Sequence, residues 1–426
     1  MGAVAVFLGS LAVTIPLGVP IAFVLALCAL ALMTFLGMTD MSIITQNMIM
    51  GTNNSALMAI PFFMLSGEIM SRGGLSQRIV DFSNIAVGRF RGGLGYAAIL
   101  ASMIFAGLSG SPVADAAALG GMMIPLMVKN GYSKERSTGL LCSGAVIAPI
   151  IPPSVPMIVL GTSVGLSITK MFMAGLVPGI ILGLCLMVCW KILVSRSKVD
   201  DRVHFTKEQR NHILKDSLPA LFMPILIIGG IRFGIFTPTE AGSFAVVYAL
   251  IISLFVYREI EIKDLPDIFL AGLKSTGLVM IIVATASAVG WLITVAQIPA
   301  KVITLLHPLI AHPTLLVLVI NLFLFIMGMI MDLTPNILIF GPILVPLVEA
   351  AGVDPIVFAV IMVLNLTIGL ITPPVGTILY IGCSIADLSF GRVVKGVLPF
   401  LFCEVLVLLL FSIFPQLISV PMSIVT

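Results

Sequence analysis

The stretch Ile371-Thr372-Pro373-Pro374-Val375-Gly376-Thr377 lies inside an apolar run long enough to cross a bilayer, and it cannot be continuous α-helix. Two successive prolines remove two backbone donors, and the first pushes Thr372 out of helical geometry. The chain therefore unwinds inside what otherwise reads as hydrocarbon. Irregular backbone survives at that depth only where it lines a protein cavity, so the break marks a working site. The same device stands 221 positions earlier, at Ile151-Pro152-Pro153-Ser154.

Working outward from this pair, the whole chain of 426 residues is 59% hydrophobic and only 10% charged. A soluble domain carries about 25% charged residues, so this is an all-α polytopic membrane protein embedded in a lipid bilayer. The formal charge of +3 is small and its bases are scattered, which argues against a nucleic-acid partner. All six cysteines fall within apolar runs, where a thiol packs as a small hydrophobe, and imply neither a disulfide framework nor a metal centre. The N-terminus lacks a basic n-region, which argues against a cleaved signal peptide.

Adding 221 to a position exposes an internal repeat. Pro125 maps to Pro346, Gly131 to Gly352, Pro152 and Pro153 to Pro373 and Pro374, Gly161 to Gly382, Gly175 to Gly396, and Pro178 to Pro399. Such a run of Gly and Pro matches at one offset is hard to obtain by chance. The expected organisation is a first repeat over 1–195, a cytoplasmic linker over 196–216, and a second repeat over 217–426. Loop charge sets their orientation. Seven Lys or Arg in 191–215, four in 72–91 and three in 129–136 mark these loops as cytoplasmic. Residues 350–357 contain no base, whereas Arg392 and Lys395 lie in a loop whose first-repeat partner has only Lys170. The second repeat is then inserted upside down, as in secondary transporters.

Taken in order, the first repeat reads as one or two helices over 3–15 and 20–36, a span over 52–71, and an amphipathic interfacial arm over 74–90. A re-entrant hairpin over 94–108 and 112–128, a broken helix over 137–169 and a final span over 171–192 follow. The second repeats the plan with 217–232, 239–256, 273–293, an arm near 298–311, a hairpin over 314–350 with its tip near Asp332, a broken helix over 356–388, and a last span over 397–418. The two short runs of each hairpin fall below the roughly 20 residues that spanning requires, and so enter and return.

Ser111 followed by Pro112 and Thr334 followed by Pro335 read as hydroxyl N-caps with Pro at the first helical position. The broken helices restart after Ser154 and after Val375. Four half-helix N-termini thus converge near the midplane, each with about half a positive charge, as a receptor for an anion. Ser111, Pro112, Ser154, Thr334 and Val375, with the amide of Asn365, are the substrate-binding candidates. The helix ends at the same breaks present unpaired carbonyls, to which Ser109, Ser111, Ser154, Asp332, Thr372 and Thr377 add oxygen suited to Na⁺. An acid at membrane depth is costly, which singles out Asp332, although it also reads as a cap ahead of Thr334. Asp115 reads equally as a dipole-favouring acid, and Asn336 and Asn365 equally as binding or packing amides. Thr237-Pro238-Thr239-Glu240 is a capping box.

Enzyme chemistry finds no support. Gly107-Leu108-Ser109-Gly110 matches the serine motif of intramembrane proteases, but His204, His212, His307 and His312 lie in linkers or arms, leaving no base at depth. Neither HExxH nor GxxxxGK[ST] occurs.

Five segments together carry a family resemblance: 59–67 (AIPFFMLSG), 110–120 (GSPVADAAALG), 234–241 (GIFTPTEA), 331–335 (MDLTP) and 369–376 (GLITPPVG). The chain resembles the large, DctM-like membrane subunit of tripartite ATP-independent periplasmic (TRAP) transporters over nearly its whole length. The resemblance implies an elevator fold of the ion-transporter superfamily in the bacterial inner membrane, with Na⁺ as coupling ion and no other cofactor. It also implies a small four-helix membrane subunit, here a separate polypeptide, and a periplasmic solute-binding protein delivering a C4-dicarboxylate, sialic acid or sugar acid. Carried over, one Na⁺ site would involve Ser109, Gly110 and Ser111 with the break from Pro152 to Ser154. The other would involve Asp332 and Thr334 with Thr372, Gly376 and Thr377. Pro112 departs from the second small polar residue common in the family. A self-sufficient Na⁺/dicarboxylate symporter of the divalent-anion type is the alternative.

Overall fold

A computed structural model describes residues 2–195 and 205–425, the side chains of 424 and 425 excepted. Arg196, Lys198, Arg202 and His204, which enter the charge and histidine arguments, lie outside the described residues. Every regular element in the described residues is helical.

The chain opens with α1 (Gly2–Thr14) and α2 (Ile21–Phe35), parted where Pro16 and Pro20 predict a joint. The span expected at 52–71 is longer and bent. Helix α3 (Ser42–Thr52) meets α4 (Ala59–Arg72) at 62° through a short 3-10 turn. Asn54 drives that bend, because its side chain accepts from the Ala56 amide at 2.9 Å and competes with the helical ladder. The arm α5 (Leu75–Val87) buries Leu75, Ile79 and Val80 on one face. Helices α6 (Gly93–Ser109) and α7 (Pro112–Lys129) form the first hairpin. After α8 (Lys134–Gly144) the chain breaks and resumes as α9 (Val155–Val164) and α10 (Ile168–Ser195).

Helix α11 (Lys207–Arg232) starts ten residues before the expected 217, because Thr206 and Gln209 close a capping box there. His212 is therefore an exposed residue of a helix and not of a linker. Then come α12 (Pro238–Ile251), entered through the Thr237–Glu240 capping box that the sequence predicts, and α13 (Leu265–Val295). The second arm is α14 (Ile298–Leu305) with α15 (His307–Ile310), and the second hairpin α16 (Pro313–Ile330) with α17 (Leu333–Ala350). Helices α18 (Pro355–Gly369), α19 (Thr377–Ala386), α20 (Phe390–Ile413) and an unexpected α21 (Gln416–Val425) complete the chain. Among the described residues eight helices are long and apolar enough to cross a membrane, and the bent pair α3–α4 makes a ninth.

The repeat is written into the helix limits: adding 221 to the bounds of α7 gives those of α17, 333 and 350. It is also inverted. Cys403 of α20 donates its thiol to the Cys185 carbonyl of α10 at 3.4 Å, and Cys189 donates to the Pro399 carbonyl at 3.5 Å. As one partner number rises the other falls, so these two equivalent helices run antiparallel. At the start of α8, Glu135 accepts from Arg392 Nε, at the start of α20, across 2.9 Å. The loop before the first broken helix thus meets the loop after the second, as opposite insertion requires. The repeats interlock, since α9 packs against α17 of the other repeat and α19 against α7. Equivalent glycines make room there: a Cβ on Gly120 would lie 3.1 Å from Ile385, and one on Gly341 2.8 Å from Leu160.

Candidate functional site: hairpin tips around a central cavity

Each hairpin tip rests on its own broken helix through small residues, the usual device for close helix approach in membranes. A Cβ on Gly107 would stand 3.5 Å from the Pro152 carbonyl oxygen, and one on Gly328, its repeat mate, 3.1 Å from that of Leu366. Gly110 ends α6 at φ 59°, a left-handed position open to glycine, and brings the tip onto Pro153 and Ser154. Ser111 caps α7 by accepting from Ala114 N at 3.4 Å, with Pro112 first in the helix, as expected. Ser109 donates its hydroxyl to Asp115 and accepts from Ser111 N at 3.2 Å, which closes the tip on itself. In the second tip Asn336 takes the place of Asp115 and donates to the carbonyls of Met331 and Asp332 at 3.0 and 3.1 Å. One oxygen of each side chain, Asp115 Oδ2 and Asn336 Oδ1, is buried with no hydrogen-bond partner among the described residues.

A cavity of about 610 Å³ joins both tips. Ser109, Gly110, Ser111 and Pro112 line it from the first hairpin, Asp332, Leu333 and Thr334 from the second, and Val155 and Pro156 from the restart of α9. Its opposite wall comes from α4, through Met64, Gly67, Glu68 and Ser71, and from α13, through Ser275, Leu278, Val279 and Ile282. Of the four expected helix starts, those of α7, α9 and α17 reach this cavity. The oxygens and helix dipoles collected there can hold an organic anion beside a small cation.

Several expectations are corrected. The cap of α17 is Asp332, which accepts from Leu333 N at 2.9 Å, so Thr334 and Pro335 lie inside the first turn. An acid two residues ahead competes better for the exposed amide than the Thr hydroxyl. Helix α19 starts at Thr377, later than expected, because Gly376 at φ 60° carries the turn on past Val375. Its start does not reach the cavity: Val375 is 36% exposed on the surface, and Thr372, Gly376 and Thr377 are absent from the lining. Thr372 Oγ1 donates to Ile368 at 2.8 Å, whereas Thr377 Oγ1 is buried without a partner among the described residues. Ser154 and Pro152 lie fully buried behind the lining, Ser154 capping α9 by accepting from Met157 N at 3.3 Å. Asn365 is no ligand of this cavity. It is buried and donates at 2.9 Å both to the carbonyl and to the side chain of Asn321, which donates to Ser412 at 2.7 Å.

Sequence reasoning missed the α4 and α13 wall, although Glu68, an acid within an apolar run, was a legible sign of it. It also missed Glu404, fully buried in α20, whose carboxylate oxygens have no hydrogen-bond partner among the described residues.

Paired hairpins and paired helix breaks, inverted about a shared cavity, define a multi-pass membrane transporter. Comparison with known proteins carries this to a family. Residues 8–417 match the tripartite ATP-independent periplasmic transporter, DctM component. The chain is 50% identical over 420 residues to a putative TRAP transporter large permease protein of Haemophilus influenzae, covering 99% of each. It is 46% identical over 421 residues to the 2,3-diketo-L-gulonate TRAP transporter large permease protein YiaN of Escherichia coli, again covering 99% of each. The crystal structure of the Alcanivorax borkumensis YdaH transporter shares the fold with a TM-score of 0.63 at 12% identity, over 88% of this chain and 87% of that one. The chain therefore belongs to the DctM family of TRAP transporter large permease proteins, which are proteins of the bacterial inner membrane.

Proposed function

We propose that the chain is the large transmembrane subunit of a Na⁺-coupled secondary transporter that takes up an organic acid by an elevator mechanism. A periplasmic solute-binding protein would deliver the acid, and a small four-helix membrane subunit would complete the tripartite assembly. The observation that carries this reading is the single cavity into which both hairpin tips and the first helix restart open, walled opposite by α4 and α13.

The substrate carboxylate sits at the starts of α7, α9 and α17, where unpaired amides and dipoles favour negative charge by about 0.3–1 kcal/mol each, and more when partly buried. Ser111, Pro112 and Thr334 stand at those starts. Na⁺ is cargo here. Ser109, Gly110 and Ser111 with the Pro152 carbonyl, beside the unpaired Asp115 Oδ2, suit one ion. Asp332 and Thr334, which line the cavity from the second tip, suit a second. The repeats over 1–195 and 217–426, joined through 196–216, each contribute scaffold helices and a mobile set of hairpin and broken helix. The mobile sets slide along α4 and α13, carrying acid and ions together.

Uptake of a radiolabelled organic acid into proteoliposomes tests this, with the small subunit and binding protein supplied. An imposed inward Na⁺ gradient should drive accumulation, and K⁺ in its place should not. Accumulation without a Na⁺ gradient would overturn the coupling. Accumulation without the binding protein would favour the self-sufficient symporter.

A further inference from the structure

A second cavity, of about 350 Å³, is stacked on the first along the same three helices. Helix α13 lines the first with Ser275 to Ile282 and the second with Val283 to Thr294. Helix α9 passes from Pro156 in the first to Thr162 and Ser163 in the second, and α17 from Thr334 to Leu338 and Pro342. At 1.5 Å per residue the centres of the two stations on α13, ten residues apart, are about 15 Å apart. The α3–α4 bend closes the second cavity on its scaffold side with Asn53 and Asn54. Because Arg72, at the far end of α4, adjoins a basic cytoplasmic loop, this second cavity opens on the periplasmic side.

The two cavities differ in chemistry. The first contains the acids Glu68 and Asp332, and the second contains no charged residue. What the second offers is amides, hydroxyls and one indole: Asn53, Asn54, Ser287, Thr294 and Trp291. The Asn53 side chain and the Trp291 N–H make no hydrogen bond among the described residues, and Asn54 uses its oxygen on Ala56 N while its NH₂ stays available. Ser287 and Thr294 donate to Val283 and Gly290 at 2.8 and 2.9 Å and keep acceptor lone pairs. Neutral donors and acceptors around a flat aromatic face match several hydroxyl or carbonyl groups on a short carbon chain, and nothing here would neutralise a carboxylate. A site built to hydrogen-bond hydroxyls rejects an analogue that lacks them, since its own polar groups are then left unpaired.

We propose that the second cavity is an outer recognition site for the hydroxylated chain of a sugar acid, and that it selects such acids over unsubstituted dicarboxylates. The proposal rests on the transport reading above and names its substrate class. The chain has two tryptophans, and Trp190 is fully buried with its N–H bonded to the Gly92 carbonyl at 2.9 Å. Ligand-dependent fluorescence therefore reports on Trp291. The full-length protein in detergent is titrated with 2,3-diketo-L-gulonate, D-gluconate and D-galacturonate, and with succinate as the acid without hydroxyls. At least one hydroxylated acid should quench saturably while succinate does not. Asn53→Ala and the shape-conserving Thr294→Val should each weaken that binding roughly tenfold, about 1.4 kcal/mol. Quenching by succinate with equal affinity, quenching by none of the three, or identical titrations in both variants would overturn the assignment. The proteoliposome assay separates the two readings: robust Na⁺-driven uptake with those fluorescence results removes only the outer site, whereas failed uptake of every acid removes the transport reading.

Discussion

Ser109 and Asp115, six positions apart, close the first hairpin tip: the Ser109 hydroxyl donates to one carboxylate oxygen of Asp115, and the other oxygen is buried with no partner among the described residues. A buried unpaired carboxylate oxygen is costly unless a cation or a proton meets it. In the second tip the equivalent Asn336 holds the turn through carbonyls instead. The two tips are therefore alike in shape but place their acid differently, at Asp115 inside the first and at Asp332 on the cap of the second.

Asp115→Asn keeps the shape of the tip and removes its charge. The Na⁺ concentration for half-maximal uptake in proteoliposomes should rise by roughly tenfold, about 1.4 kcal/mol of lost ion binding. An unchanged Na⁺ dependence would reduce Asp115 to a residue that only closes the turn.

Asp332 reaches the cavity and caps α17 at once. Asp332→Asn retains a capping side chain, since Asn caps about as well as Asp. The protein should keep its thermal midpoint and lose Na⁺ coupling. A fallen midpoint with intact coupling would assign the residue to helix capping alone.

Asn365 ties α18 to α16 and, through Asn321 and Ser412, to α20. Asn365→Leu should cost ~1–3 kcal/mol, because it leaves Asn321 groups unpaired in the interior. Thermal unfolding in detergent would show this as a lower midpoint. The KM for the transported acid should stay unchanged, and a raised KM would restore Asn365 to the binding site.

Gly369 faces Gly328 where α18 and α16 cross, and a Cβ on it would lie 2.5 Å from the Gly328 carbonyl carbon. Backbone cannot step aside as a flexible side chain can. Gly369→Val should destabilise by ~1–3 kcal/mol or more through overpacking. Gly121→Val, where nothing lies within 4 Å, is the control and should unfold as the wild type does.

Arg78 fastens the interfacial arm, with bonds to Asp216 at 3.2 Å and Glu259 at 2.7 Å and its guanidinium 4.5 Å from the centre of the Tyr257 ring. Arg78→Ala should lower stability by roughly 1–2 kcal/mol, given partly exposed ion pairs and one cation–π contact. Limited proteolysis between α4 and α6 should speed up accordingly, and an unaltered cleavage rate would show that packing alone holds the arm.

The sequence by itself determined the helical breaks, the hairpins and the repeat. Pro152-Pro153 and Pro373-Pro374 forbid a continuous ladder of backbone bonds wherever they occur, and Gly107 and Gly328 recur at one offset because the same close approach is made twice. These are local constraints, legible from a few adjacent residues. Only the tertiary structure decided which fractured ends share a cavity. The starts of α7, α9 and α17 do and that of α19 does not, because the cavity wall is α4 and α13, whose residues lie far away in sequence and carry no periodic mark of facing a ligand. Asn365, polar and deep, was equally legible as ligand or as packing amide until Asn321 was seen beside it. A side chain's partners are set by the crossing of helices, and that crossing is a property of the packed whole.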